Sequence, residues 1–490
     1  MAARPNILWY CTDQQRFDTI GSLNNPHIHT PRLDAFMKEA TTFTHAFCQS
    51  TICTPSRASF LTGQYPSAVH VNRNGGDFYP PEFAQRLLPR RLADSGYECG
   101  LVGKLHLAGA GRGQEPRVDD GYTYFQYSHS HKGPLDAGHD YADWMRRQGG
   151  EPAEIMEGLS PDTYRDGAKV KSFGGLYEPT EGDDNIPPHL HQSHWCTFKS
   201  KEFISRNRHA DQPWLLSVNP FDPHPPFDAP WDYYRRYDPD TLPGSHFEDG
   251  DLEHQQKLVD AGVDFQSKPQ HPDAWQDKKI QASYYASIEL LDEEFGNLLD
   301  FLDDTGQREN TIIIFTSDHG ESLADHGLIL KGCRLMEGMV RVPLMISWPG
   351  HFQQDVVSDA LVELMDIAPT LYEAAGEDIP YWVQGRSLTP ILTGDAPKDE
   401  HRDFVRTEFY GAIDHADGTH ATMYRDRRWK LIMFHGKDLY ELYDLENDPW
   451  EHSDLSDDPD HQEIKWDLIR KNFDATVFAH PIGPPRSMPF

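Results

Sequence analysis

Short, nearly continuous apolar runs, each ending abruptly in polar or charged residues, recur along the first two thirds of the chain. Residues 7–11 lead into Thr12-Asp13-Gln14-Gln15-Arg16, and 97–102 into Gly103-Lys104-Leu105-His106. Residues 214–218 lead into Asn219-Pro220-Phe221-Asp222-Pro223-His224, and 312–316 into Ser317-Asp318-His319-Gly320-Glu321. Runs apolar on both faces read as strands of a sheet covered on both sides. Between them lie helical spacings: Leu33, Phe36, Met37 and Ala40 after Thr30-Pro31, residues 197–205, and Tyr284, Ile288, Leu291, Phe295, Leu298 and Leu302. The expectation is an α/β fold with a large mixed central sheet flanked by helices. Residues 41–47 add a strand before a cysteine-bearing loop. Residues 340–347 add another, which Pro343 confines to an edge or a bulge. A helix over 366–375 has Asp366 as its N-cap.

Beyond about residue 385 the pattern changes to short strands over 404–409, 423–425, 429–434 and 439–442, with turn signals between them. This predicts a small antiparallel sheet, with a helix over 462–473 packed on it. The chain thus divides into an N-terminal α/β catalytic domain, 1–385, and a C-terminal α+β subdomain, 386–490. Poorly periodic insertions near 108–194 and 228–272 interrupt the first. The histidines of the first insertion (His129, His131, His189, His191, His194) match no compact zinc spacing and are set aside.

Charge then narrows the partners. The net charge is −33, spread along the chain, which argues against nucleic acid. No run approaches the ~20 apolar residues of a membrane span. No leader-like segment precedes residue 7, and the six cysteines show no disulfide spacing, so a reducing, cytoplasmic setting is expected.

The polar tails carry the candidate chemistry, because ligands of open α/β sheets bind beyond the carboxyl ends of strands. In Cys53-Thr54-Pro55-Ser56-Arg57, Thr54 reads as an N-cap and Pro55 as the first helical residue, with Gly63 ending the helix in a left-handed turn. Cys53 then sits just outside a helix N-terminus, where an anion is favoured, and Arg57 reaches back. The residues alone allow a nucleophile facing an anion or a buried inert cysteine. Asp13 is a metal ligand or a loop carboxylate. Alternation puts Lys104 and His106 on one side as an anion clamp. Prolines hold the loop of His224 extended. Arg73, in a turn-rich loop over 70–76, is a candidate substrate contact, and Lys331 follows in a glycine-bearing loop.

Cys53-Thr54-Pro55-Ser56-Arg57 followed by Leu61-Thr62-Gly63 resembles the signature of the type I sulfatases of the alkaline phosphatase superfamily. Gly103-Lys104-Leu105-His106 resembles that family's sulfate-contacting element, and residues 443–449 resemble its closing segment. The resemblance implies hydrolysis of a sulfate ester to alcohol and inorganic sulfate. It also implies a formylglycine made from Cys53 by a formylglycine-generating enzyme, the hydrated aldehyde being the nucleophile. It places one divalent cation on Asp13, Gln14, Cys53, Asp318 and His319. Arg57 holds the nucleophile, Asp318 is its base, Lys104 and Lys331 stabilise the charged sulfate oxygens, and His224, with Lys331, protonates the leaving alcohol. His106 assists release of sulfate from residue 53. Asp13-Gln14 and Asp318-His319 depart from the family's common Asp-Asp and Asp-Asn pairs and resemble phosphonate monoester hydrolases and choline sulfatase. Calcium is the default cation, and a histidine ligand makes manganese the alternative. A phosphonate monoester or phosphodiester hydrolase is the second reading, and a non-catalytic binder of sulfated ligands the third. A small-molecule or glycan sulfate ester fits equally well, and the insertions and tail leave homo-oligomerisation open.

Overall fold

A computed structural model describes the chain except residues 1–3, 111–113, 130–138, 151–185, 228, 264, 414–417, 482 and 485–490. His131 lies outside the described residues. Strands β1 (Asn6–Thr12), β2 (Thr41–Phe47), β3 (Glu98–Gly103), β4 (Tyr124–Tyr127), β5 (Trp214–Asn219), β6 (Thr311–Ser317), β7 (Arg341–Ser347) and β8 (Val356–Ser358) form one sheet in the order β4-β3-β5-β1-β6-β7-β2-β8, and β9 (Val362–Glu363) also pairs with β2. Only β7 runs against the others. The ends of β1, β2, β3, β5 and β6 therefore open on the same edge.

Alternation within the apolar runs serves two covered faces. Ile7, Trp9 and Cys11 of β1 join one core and Leu8 and Tyr10 the other, all at most 2% exposed. Helices α1 (Pro31–Met37), α5 (Gln192–Asn207) and α7 (Asp277–Asp304) cover the Leu8 face with Phe36, Trp195, Phe203, Phe295 and Leu298. Helices α2 (Cys53–Thr62), α3 (Leu88–Asp94) and α8 (Ile367–Ala374) cover the other with Phe60, Leu92 and Leu371. A second, antiparallel sheet comprises β10 (Val405–Tyr410), β11 (His420–Arg425), β12 (Trp429–Phe434) and β13 (Leu439–Asp444). Helix α9 (Gln462–Phe478) packs on one of its faces through Leu468 and Ala475. The other face, with Val405, Phe409, Met423 and Ile432, belongs to the same core as Ile7 and Trp9, so the two sheets share one interior.

Several expectations need correcting. Of the two places expected for Pro343, the edge is excluded, since β7 is a central strand, and the bulge is found: the register of β2 against β7 shifts between Phe43 and Ala46 opposite the proline. Asp366 caps nothing with its own side chain at α8 and instead closes a capping box with Glu363 one turn earlier. The stretches read as insertions contain regular elements: β4 extends the main sheet, α4 (Asp140–Arg147) adds Tyr141 and Trp144 to a core, and α6 (Asp251–Asp260) lies against the second sheet through His254 and Glu441.

Candidate active site

The end of β1 turns through Gln14, whose φ of 69° is left-handed, and Asp13 N donates to Asp222 O at 3.1 Å. Asp318 N donates to Thr12 O at 3.3 Å and Lys104 N to Asn219 O at 2.9 Å, so neighbouring strand ends fix one another. Gly103 makes the last of these contacts: its φ is 105°, and a Cβ there would fall 2.0 Å from Asn219 O.

Cys53 Sγ is the centre. It lies 2.9 Å from Lys331 Nζ, 3.1 Å from His319 Nε2, 3.5 Å from Lys104 Nζ and 3.7 Å from Asp13 Oδ1. The rings of His106 and His224 lie near enough to the sulfur for its charge to act on both. Arg57 Nε donates to Asp318 Oδ2 at 2.8 Å, its Nη1 to Lys104 O at 3.0 Å, and its Nη2 to Asp13 Oδ2 at 3.4 Å. Lys104 Nζ is paired with Asp13 Oδ2. The strand ends and α2 thus bring Asp13, Gln14, Cys53, Arg57, Lys104, His106, His224, Asp318, His319 and Lys331 together. Arg73 is exposed on a rim loop whose Asn74 and Gly75 meet Thr54 Oγ1.

Four local expectations fail here. Cys53 is the first helical residue rather than one outside the helix, and Ile52 holds the cap position without a side-chain bond. Thr54 is inside the helix and its hydroxyl serves Asn74 and Gly75 N instead. Lys104 and His106 do not share a side by alternation, because Gly103 (φ 105°) and His106 (φ 55°) leave the extended region. The loop of His224 is a turn rather than an extended segment, with His224 N donating to Phe221 O at 3.1 Å.

Burial pushes the Cys53 thiol up, but Lys104, Lys331 and His319 outweigh it and hold it well below its ordinary value. Burial and the neighbouring Cys53 push the Asp13 carboxyl up, yet Lys104, His224 and Arg57 bring it down to about 2. Burial, with Lys104, lowers His106 to about 4, so this imidazole is neutral at pH 7. His224 is also lowered, chiefly by burial and Lys331, and its Nδ1 lies 2.7 Å from Pro225 O, which can only accept. Its Nδ1–H is thereby committed.

Ligand atoms of Asp13, Cys53, Asp318 and His319 all lie within 4.8 Å of one another. His319 Nδ1 is 2.8 Å from Gly320 O, which leaves the Nε2 lone pair facing the cluster. Two carboxylates, an imidazole so oriented and the amide of Gln14 fit a divalent cation. Arg57, Lys104 and Lys331 concentrate positive charge around position 53 within a chain of net charge −33.

Two buried carboxylates were not singled out by the sequence. Glu321 accepts from Gln14 Nε2, from Leu323 N at 3.1 Å and from Leu330 N, and so sets which end of the Gln14 amide faces Lys331 Nζ, 2.7 Å from Oε1. Glu115 accepts from His106 N at 2.7 Å and Leu107 N at 3.0 Å, and burial raises it to about 7. Glu321 stood in the tail of a predicted strand; Glu115 carried no signal.

The fold and this cation-binding, anion-facing centre define a hydrolase of the alkaline phosphatase superfamily. The chain overlays a phosphonate monoester hydrolase of Agrobacterium radiobacter with a TM-score of 0.78 at 25% identity, covering 97% of this chain and 96% of that one. It is 28% identical to an arylsulfatase of Clostridium perfringens over 96% of this chain and 93% of that relative. It is 29% identical to a choline-sulfatase of Rhizobium meliloti, with 97% and 89% covered. Residues 5–377 match the Sulfatase family, and residues 324–476 match the family described as N-sulphoglucosamine sulphohydrolase, C-terminal. The chain belongs to the sulfatase family and is a sulfuric ester hydrolase. That family implies a divalent metal and a formylglycine nucleophile.

Proposed function

We propose that this chain hydrolyses the sulfate ester of a glycan, with residue 53 as the nucleophile after conversion of Cys53 to formylglycine and with Ca2+ as the cation. The observation that carries the reading is the placing of Cys53 Sγ among Lys104, Lys331, His106, His224 and the Asp13–Asp318–His319 cluster. The choice of a glycan rests on the match of residues 324–476 to an amino-sugar sulphohydrolase family.

A bound cation supplies Lewis-acid stabilisation of charge on the sulfuryl oxygens, and a hydrated aldehyde at position 53 supplies both an attacking and a releasing hydroxyl. Asp13, Asp318, His319 and the Gln14 amide would hold the cation. Arg57 fixes Asp318 and Asp13 in one plane of approach. Lys104 and Lys331 meet the negative oxygens of the group being transferred. Asp318 takes the proton of the attacking hydroxyl, and neutral His106 takes the proton that accompanies release of sulfate. His224, with Nδ1–H committed, is a proton acceptor at neutral pH, so Lys331 is the group beside it that carries a proton to the leaving alcohol. Arg73 contacts the substrate beyond the sulfate.

A formylglycine-generating enzyme is the maturation partner this reading requires. A reducing, cytoplasmic setting is supported by six free, buried cysteines. Asp318-His319 and the overlay on a phosphonate monoester hydrolase favour a second reading, hydrolysis of a phosphonate monoester. Lys104 at the sulfur favours the first. Turnover of an aryl sulfate against an aryl phosphonate decides between them: the sulfate is expected to be faster, and faster phosphonate turnover reverses the assignment. Cys53→Ala is expected to reduce sulfate-ester turnover to background with an unchanged melting curve. Near-normal activity in that variant refutes the covalent route.

A further inference from the structure

A second group of metal-ligating side chains lies outside the catalytic centre. Asp251 opens α6, His326 sits in the loop that carries Lys331, and His452 follows β13 in the C-terminal part of the chain. Their ligand atoms all lie within 4.8 Å of one another. His326 Nδ1 is 3.4 Å from Asp251 Oδ1, and His452 Nδ1 is 3.1 Å from the Asp251 carboxylate. Both imidazoles therefore turn the same ring nitrogen to one carboxylate.

These separations suit a shared ion. In a tetrahedral zinc site with bonds of about 2.0–2.1 Å to nitrogen and oxygen, neighbouring ligand atoms stand roughly 3.3 Å apart. The two nitrogen–carboxylate separations hold this spacing, the two imidazoles lie within 4.8 Å of each other, and all three side chains are anchored from elsewhere. Asp251 also accepts from Glu248 N at 2.9 Å, His452 N donates to Asp448 Oδ1 at 3.0 Å, and His326 N donates to His246 O at 2.9 Å. His326 is held in a left-handed conformation (φ 54°), which a residue with a Cβ adopts only under local constraint. A cavity of about 10 Å³, about the size of one water, adjoins His326 and is bordered also by Asp325, Glu451 and Arg16. Asp325 and Glu451 raise the negative potential there, while Arg16 is engaged by Asp18 and Asp325.

We propose that Asp251, His326 and His452 form a second divalent-metal site, of zinc type, that ties α6, the Lys331 loop and the C-terminal part of the chain together. It is independent of the reaction assigned to the first centre. The role is positional: the ion fixes the loop that delivers Lys331 rather than meeting substrate.

Cobalt binding tests it on the full chain. Wild-type protein is expected to bind one more equivalent of Co2+ than His452→Ala and to show the strong visible bands of tetrahedral Co2+, which the variant lacks. Asp13→Asn is expected to lose the other equivalent and keep those bands. Zinc is expected to raise the melting temperature of the wild type and not of His452→Ala. Equal Co2+ content and equal spectra in wild type and His452→Ala overturn the proposal. His452 is the residue to replace because it is partly exposed, whereas His326 is buried and strained. Should His452→Ala melt as an unfolded chain in the absence of metal, the near-isosteric Asp251→Asn gives the same two readouts.

Discussion

Glu321 shows how much of the centre rests on residues that touch no substrate. Its carboxylate is fully buried and takes the Gln14 amide together with two backbone N–H groups. An amide can present either end; the carboxylate accepts only from Nε2, so Oε1 is left for the cation and Lys331. Glu321→Gln offers the amide a partner that can also donate, and the orientation is no longer fixed. We expect divalent-cation affinity, read by calorimetry, to fall by about 10–100-fold, with kcat/KM falling in parallel. Glu321→Asp, which retains the acceptor, recovers part of both. Such residues are hard to read in a sequence because backbone N–H partners, here those of Leu323 and Leu330, leave no mark on residue type. Cys53, Arg57, Lys104 and Asp318 were legible for the opposite reason: they stand in the tails of predicted strands and in stretches that resemble a known signature. The same principle explains the misplaced cap of α2. Thr54 has capping chemistry, but the helix N-terminus faces the anion site and leaves its hydroxyl to Asn74 and Gly75 N.

At the scale of elements, the strands were readable because runs covered on both faces have no alternation to confuse with a helix. β4 was not, since Tyr124–Tyr127 is half exposed at the sheet edge and mixes aromatic with amide side chains. Gly103 is the element-scale position least open to change: the Cβ of Gly103→Ala meets the backbone of β5. We expect a loss of about 3 kcal/mol or more, read by denaturant unfolding, because backbone must move. Helix α6 offers a pH-dependent contact. His254 Nε2 lies 2.7 Å from Glu441 Oε1 on β13. Burial alone lowers the imidazole, but the ionised carboxylate more than offsets this and raises it above its ordinary value. A group raised on folding stabilises fully below its unfolded pKa, about 6.5 for histidine, and loses that contribution as pH rises through the folded value. The stability difference between wild type and His254→Gln is therefore expected to be about 1 kcal/mol near pH 6 and to shrink toward pH 9. A difference that grows with pH reverses the sign of the argument.

The whole molecule is less divisible than its sequence suggests. The change of pattern near residue 385 is real, since the two sheets fall on either side of it, but the interior does not respect it. Thr407 Oγ1 donates to Cys48 O at 2.6 Å and Glu408 N to Gln49 O at 3.0 Å, so the second sheet steadies the segment that leads to Cys53. Composition could not show this, because a shared core is a property of which faces meet. Residues 1–385 alone are expected to be insoluble or to unfold without cooperativity, as judged by differential scanning calorimetry. Burial of the nucleophile has a consequence in time. Cys53 is 1% exposed, at the start of α2 and beside Lys331. No second enzyme can close its own active site around a sulfur so enclosed. Lys331 leaves the ribosome roughly 280 residues after Cys53, about 15–55 s at ordinary rates of synthesis. Within that interval the segment is an unfinished strand end still in water, and afterwards it is sealed. On the proposed conversion of Cys53 by a second enzyme, maturation is a race against folding, and the fraction of active molecules in a preparation is expected to report which process ran faster. Slowing translation downstream of codon 53 should raise that fraction, measured by peptide mass, and chain refolded as the thiol should stay inactive when the modifying enzyme is added late.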